Sequence, residues 1–121
     1  MPGAYQRGMI HLGLHTDNWR PLSVGFEGAC QKIAVTGLKH LEFAAIHGQN
    51  FIAALGYDPG VSLQSNPRAI RRFLDGLGLK VSQIDGSYPM MGPSGSAFGV
   101  QYVTQSIRFA AELGCPMVDT V

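Results

Sequence analysis

A chain of 121 residues suits one domain that buries roughly two thirds of its unfolded surface, and nine Lys and Arg against eight Asp and Glu leave a formal charge of +1. That balance offers no basic field for nucleic acid or an anionic membrane, and no apolar run approaches a membrane span. Met1 to Gly8 lacks the apolar core of a secretory leader, so cytoplasmic residence is expected, and Cys30 and Cys115 form no motif and read as buried thiols.

Along the chain, Met9 to His15 is apolar enough for a strand covered on both faces, as parallel sheets require. Ser23 is the expected N-cap of a first helix reaching about Thr36, with Phe26, Ala29, Cys30, Ile33 and Ala34 as its apolar stripe. Leu38 to Ala44 is the second strand. Asn66 and Pro67 mark the start of a second helix whose stripe is Ile70, Phe73, Leu74 and Leu77. Its arginines, Arg68, Arg71 and Arg72, lie elsewhere on the wheel and read as a solvated face. Leu79 to Asp85 is the third strand. A third helix is expected from about Gly99 to Leu113 on the stripe Val100, Val103, Ile107, Ala110 and Leu113, and Pro116 to Val121 is the fourth strand.

A helix, a glycine and a short apolar run recur in AVTGLKHLEF, DGLGLKVSQI and AELGCPMVDT, with Gly37, Gly78 and Gly114 as punctuation. Glycine ends a helix in the left-handed conformation without a Cβ penalty, so each copy reads as helix, tight turn, strand. Strand and helix therefore alternate, which builds a parallel sheet with helical crossovers. Helix-to-strand connections are tight. Strand-to-helix connections, His15 to Leu22, Ala45 to Ser65 and Gly86 to Phe98, are long, and all leave the C-terminal edge of the sheet where such folds build their sites.

Two architectures accommodate four strands and three helices. A small doubly wound, flavodoxin-like sheet binding a small ligand would carry helices on both faces. The first half of a (β/α)8 TIM barrel, typically about 250 residues long, would stop at a strand tip as Asp119, Thr120 and Val121 do. Because three helices cover both faces of four apolar strands poorly, the half barrel is expected, with residues 1–121 as a single partial domain.

The segments GMIHLGLHTDNW, GLKHLEFAA, GLKVSQIDGSYP and AAELGCPMVDT together resemble the sugar phosphate isomerase/epimerase family, whose members have the xylose isomerase-like barrel. The resemblance implies a divalent metal (Mn, Mg, Co or Zn) at the C-terminal mouth and proton transfer between neighbouring carbons of a sugar or sugar phosphate. It also implies that the metal ligands lie on later strands, beyond Val121, so none is assigned here. The chain alone is then expected to be inactive and to expose an unpaired edge at its fourth strand, open to self-association as a homo-oligomer. An inosose dehydratase-type lyase on the same scaffold shares the enolisation step. A repair nuclease is disfavoured by the near-neutral charge and by Asp85, where that branch, like many of the isomerases, carries histidine.

Four residues are candidates for substrate binding. His15 and Trp19 sit where the first strand opens into its loop, placed to bind a hydroxyl and cover an apolar sugar face, or else to anchor the loop and part of the core. Glu42 is a carboxylate in an apolar strand, which must be paired, hydrogen-bonded or protonated. Asp85 ends the third strand, able to bind a hydroxyl or to cap the Gly86 turn. Gly92 to Gly99, GPSGSAFG, reads as a phosphate-cradling loop or as a lid over Tyr88, Met90 and Met91, and fits neither the dinucleotide nor the Walker pattern.

Overall fold

The computed structural model describes residues 10–46, 59–86 and 95–120. They form an α/β fold around a parallel sheet. Strand β1 is Gly13–His15, followed by a 3-10 segment, Thr16–Leu22, then helix α1, Gly25–Val35, and strand β2, His40–Ile46. Strand β3 is Val61–Ser62, helix α2 Pro67–Gly76, strand β4 Lys80–Asp85, helix α3 Gly95–Leu113 and strand β5 Val118–Asp119. The sheet runs in the order β1-β2-β4-β5, with β3 pairing with the tip of β2 through Ala45 and Ile46. All of these pairs are parallel.

Local chemistry accounts for most of these elements. Gly37, Gly78 and Gly114 hold φ of 86°, 71° and 81° at the helix ends, as the punctuation requires. Asn66 caps α2 as expected, its side chain accepting from the N–H groups of Arg68 and Ala69. Gly13 lets β1 lie against β2, because a Cβ there would come within 2.7 Å of the His40 carbonyl oxygen.

Side chains from the three helices meet one face of the sheet. Leu41, Phe43 and Ala45 alternate along β2 and are fully buried, and they join Cys30 and Ile33 of α1, Leu74 of α2, and Phe109, Ala110 and Leu113 of α3 in a single cluster. Phe26 packs edge-on against Phe43, with ring centroids 5.0 Å apart.

The structure corrects several boundaries. Ser23 does not cap α1; it is left-handed, at φ 53°, and closes the 3-10 segment, while α1 starts behind Val24 with no side-chain cap. Strand β2 runs on to Ile46, and Val61–Ser62 within the second long connection forms a strand. Helix α3 begins at Gly95, so Gly95 to Gly99 of the expected phosphate-cradling loop are helical; Gly92 to Ser94 and the lid residues Tyr88, Met90 and Met91 lie outside the described residues. The α3 stripe is also displaced: Val100 and Ile107 are exposed, and Tyr102, Ser106, Phe109, Ala110 and Leu113 face inward. Two polar residues can be buried there because each is satisfied. The Tyr102 hydroxyl donates to the Ala45 carbonyl at 2.6 Å, and Ser106 Oγ donates to the Tyr102 carbonyl at 3.0 Å.

Candidate functional site

The face of the sheet opposite the core carries the polar residues. His15 ends β1 and pairs in register with Glu42 of β2, so both side chains project from the same face. Asp85, at the end of β4, joins them through a break in the pleat. Leu41 pairs with Val81 but Glu42 pairs with Gln83, which leaves Ser82 as a bulged residue between. In an unbroken strand Val81, Gln83 and Asp85 would share one face, and Val81 points into the core. The extra residue reverses the alternation, turning Ile84 inward and bringing Gln83 and Asp85 onto the face of Glu42. Ser82 Oγ donates to the Leu41 carbonyl at 3.1 Å, which partly offsets the interrupted ladder.

The result is a compact cluster. His15 Nε2 lies 3.6 Å from Asp85 Oδ2 and 3.9 Å from Glu42 Oε1. The three side chains are 23%, 27% and 25% exposed, shielded but reachable. Gln83 Nε2 donates to Glu42 Oε1 at 2.9 Å and so fixes that carboxylate. His15 is held from its other side: its Nδ1 accepts from the Asp17 N–H at 3.0 Å, capping the 3-10 segment, and Asn18 Nδ2 donates to its carbonyl at 2.9 Å. Arg20 braces the same turn through Asp17 at 2.8 Å. The carboxylates are felt beneath the sheet as well. Burial pushes the Tyr102 phenol up to about 12, with the Asp85 charge adding to it.

Of the four candidate residues the structure thus brings together His15, Glu42 and Asp85. Trp19 is half-buried and packs against the hydrophobic core. Gln83 was not a sequence candidate. The strand itself carries only a partial signal: apolar Leu79, Val81 and Ile84 break strict alternation, while the place of the extra residue is fixed by the pairing with β2. A separate cavity of ≈ 460 Å³ opens at the N-terminal ends of the strands, lined by His11, His40, Arg71 and Lys80 among others, and shares no residue with the cluster.

One imidazole and two carboxylates whose ligand atoms lie within 4.8 Å of one another invite a divalent cation. The imidazole is turned the wrong way for it. A metal-bound histidine almost always donates its other ring N–H to a neighbour, whereas Nδ1 of His15 accepts from the Asp17 N–H, with Asp17 Oδ1 3.9 Å away; in the neutral ring that arrangement puts the proton on the nitrogen facing the carboxylates. The cluster therefore does not fit a three-ligand metal centre. Its chemistry is that of one hydrogen-bond donor beside two anionic acceptors. Comparison with family models, curated proteins and solved structures finds no match to this chain.

Proposed function

We propose that the chain forms the substrate-facing first half of a (β/α)8 barrel acting as a sugar or sugar phosphate isomerase/epimerase, by proton transfer next to a carbonyl. The observation that carries this is the convergence of His15, Glu42 and Asp85 over the C-terminal half of a parallel sheet. Strand order supports the barrel over a flavodoxin-like module. Doubly wound sheets reverse their order at a switch point, whereas here β1, β2, β4 and β5 follow one another across the sheet and the helices pack on one face.

Two carboxylates and an imidazole suit a polyhydroxy substrate. Glu42 and Asp85 accept hydrogen bonds from its hydroxyls, and His15 Nε2–H donates to an oxygen. A carboxylate held within reach of the C–H beside the carbonyl can remove its proton, the electron pair forming the enediol double bond while the carbonyl oxygen gains negative charge. The divalent ion implied by the resemblance belongs, in this reading, to ligands on later strands, and supplies Lewis-acid polarisation of the carbonyl when bound.

Ligand-observed NMR with a panel of ketoses and ketose phosphates tests the binding half of this reading. Glu42→Gln removes a charged acceptor and should weaken the best ligand roughly tenfold or more, since hydrogen bonds to charged groups contribute about 1.5–3 kcal/mol. A panel in which no sugar binds, or a best ligand indifferent to Glu42→Gln, would sink it. With later strands in place, the product distinguishes an isomerase/epimerase, which conserves the mass of its substrate, from a dehydrating lyase, which releases water, because both remove the α-proton.

A further inference from the structure

His15 offers one ring nitrogen to the backbone and the other to the cluster. Nδ1 accepts from the Asp17 N–H, so a neutral ring carries its proton on Nε2. Turning the ring over would put a carbon against the Asp17 amide and leave that donor unsatisfied. The 3-10 turn, braced by the Arg20–Asp17 and Asn18–His15 hydrogen bonds, therefore selects both the tautomer and the ring orientation.

From Nε2 the carboxylate oxygens of Asp85 and Glu42 are 3.6 and 3.9 Å away. Those separations exceed a direct hydrogen bond, yet one oxygen atom can span either of them, accepting from Nε2–H and donating its own proton to a carboxylate. A hydroxyl group has that pairing of acceptor and donor. A metal ion has neither, and it would meet an N–H dipole with its positive end forward. Glu42 Oε1 is already bonded by Gln83, which holds the acceptor in place for such a ligand.

We infer that the His15–Glu42–Asp85 cluster is a hydroxyl-binding subsite for a neutral polyol, read through His15 Nε2–H, and that His15 is not a metal ligand. The polyol class rests on the proposed sugar chemistry; the tautomer does not.

Long-range ¹H–¹⁵N correlation spectra of the labelled chain read the tautomer, with His15→Asn identifying the ring signals. The expected result is a His15 ring protonated on Nε2 that sorbitol shifts and Zn²⁺ leaves in place, the sorbitol response being lost in Asp85→Asn. A second variant pair probes the cause. Asp17→Pro removes the capping N–H and should let Zn²⁺ reach Nε2, whereas Asp17→Ala keeps the amide and should behave as the parent. A ring protonated on Nδ1, a Zn²⁺-induced shift of Nε2 in the parent, or no response to sorbitol would each overturn the inference. Zinc at Nε2 alongside ketose binding would leave the isomerase proposal standing, and sorbitol binding without any ketose binding would leave the subsite standing without it.

Discussion

His40 shows how a surface group feels its neighbours through the register of a sheet. It pairs with Lys80 across β2 and β4, and its ring lies 4.7 Å from that of His11. Partial burial, then the His11 and Lys80 charges, lower its pKa below the usual 6.5. The unfolded chain therefore binds a proton more readily than the folded one, so this contribution is complete above about 6.5 and is lost as pH falls through the unfolded value toward the folded one. Urea midpoints measured from neutral pH down to about 5 should fall for the parent and fall less for His40→Gln. Equal acid slopes would show that His40 is uncoupled. Among the candidate residues, Glu42 was legible as a carboxylate in an apolar strand and His15 and Asp85 as polar groups at strand ends, because where a strand stops is a local property of the chain. Trp19 was ambiguous for the opposite reason: a residue in a connection has no periodicity to say which way it faces, and its large apolar area went to the core.

Helix ends differ in how much of their start is written in the chain. For α2, Asn66 and Pro67 specify it, with hydrogen bonds of 3.0 and 3.4 Å from Arg68 and Ala69 N–H to Asn66 Oδ1. Asn66→Ala should cost about 1 kcal/mol, and Asn66→Asp should retain most of that, as thermal or urea unfolding would report. An unchanged midpoint in Asn66→Ala would mean that solvent satisfies those amides equally well. The start of α1 was misread because Ser23 is a good cap by type but is consumed by the preceding 3-10 segment, whose last turn needs its left-handed conformation. Helix α3 was misread on its face, since hydropathy ranks Val100 and Ile107 above Tyr102 and Ser106. The hydrogen bonds that make those two polar residues cheap to bury come partly from β2, 57 residues away in the chain for the Tyr102–Ala45 pair.

The hydrophobic cluster joins the sheet to all three helices, and Phe43 lies within it, fully buried. Phe43→Ala should cost about 3–5 kcal/mol, a large share of the roughly 5–15 kcal/mol that a domain has in total. Because the cluster is continuous, fluorescence and far-UV circular dichroism should lose their transitions together; separate midpoints would show that the helices dock independently. The two faces of the sheet thus divide the work: one excludes water and holds the strands, the other presents His15, Glu42 and Asp85. No described helix is long and apolar enough to cross a membrane. Glycine punctuation, alternation and the Asn66–Pro67 start were enough to foresee parallel strands crossed by helices, since each depends on residues only a few positions apart. Placing Asp85 beside Glu42 was a different matter. Strict alternation from Val81 sends it to the buried face, and only pairing β4 with β2 one residue out of step at Ser82 brings it round. That offset is a property of two strands whose paired residues are 41 positions apart in the chain, as the Gln83–Glu42 bond is, so it arises when the sheet assembles.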